Sequence, residues 1–271
     1  MTTLQDAAIA VIDTETTGVG PDARVVELAV VHAAYRELPR VAFCVRVNPG
    51  VPIEPGATNV HGITDADVAD APAFADVLGD FLAAIEGRVC VAYNAPFDYG
   101  RLRYEVARAG HDPALIPWPW VDAHVLRRAR PNGKYGDNKL TDVTAEMGCT
   151  LDAHGAAGDT MATALVLPRV AADVDSRLST LPLDAFFARQ QARALAQEAD
   201  YCAWAYRAGH RERPSCGWHE VTGTPLPAWP ERPKPTARCP RCSGSPVTLT
   251  IAKDGTLAVL NALGLPHLCG E

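Results

Sequence analysis

The run Ala7-Ala8-Ile9-Ala10-Val11-Ile12 is apolar without interruption and stops at Asp13. A strand with one wet face would carry a polar residue at every second position, so this run fits a central strand buried on both faces. Such a strand needs neighbours on either side and covering layers above and below, which directs the chain to a layered α/β arrangement. The chemistry then changes abruptly. Asp13-Thr14-Glu15-Thr16-Thr17-Gly18 sets two carboxylates, two residues apart on extended backbone and so pointing the same way, at the strand's end.

The following residues supply the neighbours. Gly18, Gly20 and Pro21 mark a turn, after which 24–32 and 41–47 read as two further strands of an antiparallel meander. Val68, Phe74, Val77, Leu78, Phe81, Leu82 and Ile85 recur at helical spacing, so one or two helices are expected between 64 and 85, and 88–93 returns as a strand. Asn94 is the expected N-cap of a helix with Pro96 in its first turn, stopped by Gly110. A fifth strand is expected over 118–122, and the last helices of the domain over 140–147 and 159–171, the second preceded by a flexible Gly155-Ala156-Ala157-Gly158 stretch. The fold class is α/β, a mixed five-stranded sheet flanked by helices. The expected boundaries are 1–175 for this domain, 176–211 for a helical connector with a strong helix over 183–207, 212–238 for a Pro-rich linker, and 239–271 for a small Cys-containing hairpin module built on 247–251 and 256–260.

With 48% hydrophobic residues the chain is ordinary globular protein, and its net charge of -7 argues against bulk electrostatic binding of nucleic acid. Acidity is compatible with a nucleic-acid enzyme whose carboxylates are neutralised by divalent metal. Cys44, Cys90 and Cys149 sit singly in apolar or helical segments and read as buried thiols. No basic n-region precedes the apolar run, which is too short for a signal peptide or a membrane span, so a reducing cytoplasm and no membrane partner are the expectation.

Three clusters carry chemistry: Asp13 with Glu15, Asp98 in Asn94-Ala95-Pro96-Phe97-Asp98, and His154 with Asp159 in His154-Gly155-Ala156-Ala157-Gly158-Asp159. Hard oxygen ligands select Mg²⁺ or Mn²⁺, and four carboxylates suffice for two ions that would act on both oxygens of an in-line displacement at phosphorus. His154 is suited to act as general base near neutral pH from a Gly/Ala-rich loop. A basic stretch over 124–139, with Arg127, Arg128, Arg130, Lys134 and Lys139, is either a solvated helix end or an arm that meets phosphates. In the tail, Cys216, His219, Cys239 and Cys242 form two pairs at zinc-ribbon spacing, while His267 and Cys269 with the Cys239–Cys242 pair make an alternative set; one structural Zn²⁺ is expected from either.

The three motifs, in this order and spacing, resemble those of the DEDD-type 3'-5' exonucleases of the DnaQ-like branch with histidine, the family of the bacterial DNA polymerase III proofreading subunit, RNase T and oligoribonuclease. The resemblance covers roughly residues 7–173. It implies a ribonuclease H-like fold, with Asp13, Glu15, Asp98 and Asp159 holding two Mg²⁺ or Mn²⁺ and His154 as base. His61-Gly62-Ile63-Thr64 also resembles a family segment near the terminal nucleotide, so Thr16, His61, Asn94 and Phe97 are candidates for holding the 3' end. The implied activity is metal-dependent removal of nucleoside monophosphates from single-stranded DNA or RNA 3' ends, in repair, proofreading or RNA trimming; the sugar, a polymerase partner and a homodimer are left open. Two other classes are weighed against it. An adaptor acting through the tail has no need of four clustered carboxylates, and a glycosidase with paired carboxylates would need neither metal nor histidine.

Overall fold

A computed structural model of the chain describes residues 1–20, 22–35, 37–130, 138–148, 155–208 and 217–225, together with strands at 237–238, 246–251 and 257–260. The apolar run becomes β1 (Ile9–Thr16), with Ile9 to Ile12 all buried. On one side β1 pairs antiparallel with β2 (Val25–Ala34), which pairs antiparallel with β3 (Glu37–Arg46). On the other it pairs parallel with β4 (Val89–Ala92), and β4 pairs parallel with β5 (Val121–Asp122). The order β3-β2-β1-β4-β5 puts the uninterrupted apolar strand in the centre of a mixed five-stranded sheet, as its composition demands.

Helices α1 (Pro55–His61), α2 (Asp65–Val68) and α3 (Phe74–Ile85) connect β3 to β4, and α4 (Ala95–Arg108) connects β4 to β5. After β5 come α5 (Ala123–Arg128), α6 (Leu140–Glu146), α7 (Ala156–Val174) and α8 (Leu183–Arg207). Ile9 and Val11 of β1 share one core with Val166, Leu167, Val170 and Ala171 of α7. Alternation along the strand continues that face through Asp13 and Glu15, so the two carboxylates emerge on the side where α7 lies.

The turn after β1 is closed by hydrogen bonds between Thr17 and Arg24: Thr17 N–H donates to the Arg24 carbonyl (2.8 Å), and Arg24 N–H donates to Thr17 Oγ1 (3.0 Å). Arg24 then reaches α4, giving Glu105 a forked pair, Nε to Oε1 at 2.7 Å and a terminal nitrogen to Oε2 at 3.0 Å, while Val25 N–H donates to the same carboxylate at 3.2 Å. Glu105 is almost fully buried, so this pair fastens α4 to the start of β2.

Several expectations need correction. The fifth strand is only Val121–Asp122. Cys90 is buried, but Cys44 is exposed because β3 is an edge strand whose side chains are largely uncovered; Cys149 lies outside the described residues. Gly155 to Gly158 is not a flexible lead-in. Gly155 is the N-cap and the helix begins at Ala156, whose N–H donates to Glu27 Oε2 of β2 at 2.8 Å. The basic stretch is partly tied down: Arg127 is buried and bonded to Glu146, and Arg130 also approaches Glu146 (3.4 Å), which leaves neither side chain extended toward a strand's phosphates. Lys134 lies outside the described residues.

The chain divides into two compact units, Met1–Arg193 and Ala194–Glu271. In the second, Glu198 of α8 accepts N–H bonds from Trp218 (2.6 Å) and His219 (2.9 Å) and so caps α9 (Gly217–Thr222). Strands β6 (Ala237–Arg238), β7 (Pro246–Ile251) and β8 (Leu257–Leu260) form a three-stranded antiparallel sheet, including the expected hairpin. No helix among the described residues is long and apolar enough to cross a membrane.

Arg24→Leu should destabilise the protein by about 2 kcal/mol, because the buried Glu105 carboxylate loses its forked partner and keeps only Arg108, 3.4 Å away. Urea unfolding checks this, and a loss well under about 1 kcal/mol would mean the pair is no more than a surface ion pair.

Candidate active site

Asp13 and Glu15 leave the end of β1 on the α7 side, and Asp159 sits in the first turn of α7. One carboxylate oxygen from each of the three lies within 4.8 Å of the others, the spacing a shared cation requires. Asp98 reaches the same strand end from the first turn of α4, and its Oδ1 accepts two bonds from Thr14, backbone N–H at 2.9 Å and Oγ1–H at 2.8 Å. These bonds hold Asp98 against the neighbouring residue of β1, so it adjoins the three-carboxylate set without belonging to it.

Electrostatics show how ill-suited this cluster is to being left alone. Burial raises the Asp13 carboxyl well above its ordinary value, and the charges of Asp98, Glu15, Asp159 and Glu27 push the same way. Glu15 is pushed up to about 7, by burial first and then by Asp159 and Glu27. Asp98 is likewise pushed up to about 7 by burial, although the two Thr14 bonds pull it down. A bound divalent cation would reverse the sign of the local field and restore these groups to carboxylates.

Two members of the site were not singled out from sequence. Glu27 of β2 stands directly opposite Glu15 in the β1–β2 register, adds charge to the cluster, and caps α7 through Ala156 N–H. Arg46 lies 3.6 Å from Glu27 and 3.5 Å from Asp67, so a cation from β3 offsets part of that charge. Asp122, fully buried, is the other. Both have the same sequence signature, an acid inside an otherwise apolar strand: Val25-Val26-Glu27-Leu28-Ala29 and Trp120-Val121-Asp122-Ala123.

The residues expected near the 3' end vary in how they are held. Thr16 is buried and donates its hydroxyl to the Gly18 carbonyl at 2.7 Å. His61 is buried with both ring nitrogens engaged: Nδ1 accepts from Ile63 N–H (3.0 Å), so Nε2 carries the proton and donates to the Thr16 carbonyl (3.2 Å). His61 therefore braces the end of β1. Asn94 occupies the N-cap position of α4 but caps nothing with its side chain; it is exposed and left-handed, φ 80° and ψ 57°. Phe97 is half-buried beneath the Arg101 guanidinium, 5.2 Å from the ring centroid. His154 lies outside the described residues, directly before the N-cap Gly155 of α7, as do Cys216, Cys239, Cys242, His267 and Cys269. His219, the one described candidate zinc ligand, is buried; its Nδ1 donates to the Thr224 carbonyl at 2.8 Å, and Nε2 makes no hydrogen bond, lying 3.8 Å from Glu198.

A family model described as an exonuclease, of RNase T type, matches residues 10–167, which takes in Asp13, Glu15, Asp98 and Asp159. The chain belongs to the RNase T exonuclease family. The chain is 40% identical over 169 residues to a DNA polymerase III subunit epsilon-like protein of Rhodobacter capsulatus, a match covering 60% of this chain and 23% of that one. To DNA polymerase III subunit epsilon of Pasteurella multocida it is 38% identical over 101 residues, 35% of this chain and 40% of the relative. The match therefore spans less than half the length of either relative. Among solved structures, Exonuclease I of Methylocaldum szegediense has the same fold, with a TM-score of 0.55 at 24% identity over 70% of this chain and 45% of that one.

Without bound metal, the folded state binds more protons than the unfolded state wherever the raised carboxyls are protonated and ordinary ones are not. These groups therefore cost stability as pH rises from about 4, the ordinary carboxyl range, through about 7. Asp13→Asn removes one of the repelling charges, so with chelator present the variant should melt above the wild type at pH 8, with the advantage shrinking as pH falls and vanishing near pH 4. Thermal unfolding of both proteins across that range checks the sign; a variant less stable than wild type at pH 8 would contradict it.

Proposed function

We propose that the chain is a 3'-5' exonuclease that hydrolyses single-stranded nucleic acid from its 3' end, releasing nucleoside monophosphates with the help of two Mg²⁺ or Mn²⁺ ions. The observation that carries this reading is the convergence of Asp13, Glu15 and Asp159 oxygens within 4.8 Å in a setting that raises the Asp13 and Glu15 pKa values. Asp13, Glu15 and Asp159, with Asp98 beside them, are the residues that would hold the ions. Bound there, divalent ions supply a lowered pKa for the attacking water and neutralise charge on the phosphate.

The chain's own residues do the remaining work. His154, at the entry to α7, accepts the proton of the attacking water; the water oxygen forms the new bond to phosphorus, and the 3'-oxygen of the penultimate nucleotide leaves and is protonated. Thr14 fixes the rotamer of Asp98 through its two hydrogen bonds. Thr16, His61, Asn94 and Phe97 hold the 3' nucleotide, with His61 acting through the Thr16 carbonyl it braces. One named relative is a DNA polymerase III subunit epsilon and the other an epsilon-like protein, which favours DNA; ribose would be told from deoxyribose by contacts to the 2'-hydroxyl. In the tail, one structural zinc held by His219 with Cys216, Cys239 and Cys242 fits the buried, unbonded Nε2 of His219, whose ring the Thr224 carbonyl already orients.

With 5'-labelled single-stranded DNA and RNA of matched sequence, a metal-dependent ladder shortening from the 3' end is expected, abolished by chelator and by Asp13→Ala. Cleavage that survives chelation would refute the reading. His154→Ala should lower turnover by roughly two orders of magnitude and remove the rate limb that titrates near a histidine pKa; an unaltered pH profile would take the base role away from His154. Elemental analysis of protein purified without chelator should find one zinc per chain, and none would remove the zinc site.

A further inference from the structure

Asp122 ends β5 and is fully buried. Its carboxylate accepts from four backbone N–H groups: His124 (2.9 Å) and Val125 (3.1 Å) at the start of α5, and Asn94 (3.2 Å) and Ala95 (3.1 Å) at the start of α4. The first pair is an ordinary N-cap. The second is not, because Asp122 lies 27 positions along the chain from Ala95 and serves a helix whose own N-cap side chain makes no capping bond.

That helix start is where the chain is under most constraint. Asn94 is the single non-glycine residue with positive φ among the described residues, a conformation that asparagine tolerates better than most L-residues and that the two Asp122 bonds beside it help to hold. The turn at Asn94 sets the direction of the first turn of α4, and Asp98 lies in that turn. Asp122 grips the N–H groups of the turn residue and of the first helical residue, so its carboxylate fixes where the Asp98 side chain begins.

Asp122 is in turn fixed from α8. β5 pairs with β4 on one side only, and on its open edge the Trp120 carbonyl and the Asp122 N–H point outward together. Gln190 of α8, almost fully buried, meets both: Nε2 donates to Trp120 O at 2.8 Å and Oε1 accepts from Asp122 N–H at 2.9 Å. The side-chain amide replaces the residue that a parallel neighbouring strand would place opposite Val121. Gln190 lies beyond the part of the chain matched to the exonuclease family, at residues 10–167.

We propose that Asp122 is a positioning residue for Asp98 and that Gln190 anchors it, so that α8 belongs to the framework of the active site. The proposal rests on the metal-dependent reading given above. Gln190→Leu deletes both bonds to β5 at similar volume, and Asp122→Asn replaces two acceptor oxygens by one. Mn²⁺ titration of the full chain followed by electron paramagnetic resonance should show affinity weakened about tenfold in each, with kcat reduced about tenfold and KM for a DNA oligonucleotide within about twofold. Phe186→Leu, a fully buried change on the same helix, serves as the stability control and should leave Mn²⁺ affinity and kcat at wild-type values. Wild-type Mn²⁺ affinity and kcat in folded Gln190→Leu would overturn the proposal, even if Asp122→Asn fails to fold. Losses in Phe186→Leu equal to those in Gln190→Leu would do the same, reducing the effect to stability. A wild-type protein that binds no Mn²⁺ overturns the functional reading itself, a result distinct from equal affinities in wild type and variant.

Discussion

Like charges held at close range in a half-dry setting govern this site. Glu15 faces Glu27 across an antiparallel register, Asp13 lies two residues along the same face, and Asp98 and Asp159 arrive from helices. Opposed like charges disfavour strand pairing, and burial of ionised carboxylates disfavours folding. The sheet tolerates them because its interior is apolar on both faces of β1, with Val166, Leu167 and Val170 of α7 packed on Ile9 and Val11. Stability comes from the apolar half of the strand, and the polar half is left free to bind a cation.

Around the cluster stands a set of groups whose work is to hold it in shape. Glu27 caps α7, Asp122 caps α4, Thr14 fixes Asp98, His61 braces Thr16, and the Arg24–Glu105 pair ties α4 to β2. Each uses a backbone N–H or carbonyl that would otherwise be orphaned at a strand end or helix start. The same hydrogen bonds that satisfy the ends of secondary structure also set the geometry of the clustered carboxylate oxygens. Strand ends and helix starts that meet can serve both needs with the same atoms.

What could be read from sequence follows from the range of the interactions involved. The central strand, the meander and the hairpin in the tail are written in local patterns of period two or in unbroken apolar runs, and the carboxylates at Asp13, Glu15, Asp98 and Asp159 sit in short motifs. Asn94 is another matter. Asparagine is both a good N-cap and a residue tolerant of left-handed backbone, and the choice between them is made by Asp122, distant in sequence. Arg127 likewise reads as a solvated cation until Glu146 of the next helix meets it. Glu27 and Asp122 are each acids among apolar neighbours, a visible anomaly, whereas Gln190 sits between Arg189 and Gln191 and carries no such mark; the partners that explain all three come from other elements.

The most direct test is anomalous diffraction from crystals soaked in Mn²⁺ at pH 8. The account requires Mn²⁺ density within coordination distance of Asp13, Glu15 and Asp159 carboxylate oxygens, and its absence from Asp13→Ala crystals. Manganese bound elsewhere, or a cluster that remains without metal at saturating concentration, would contradict the claim that these carboxylates are gathered to hold cations for hydrolysis.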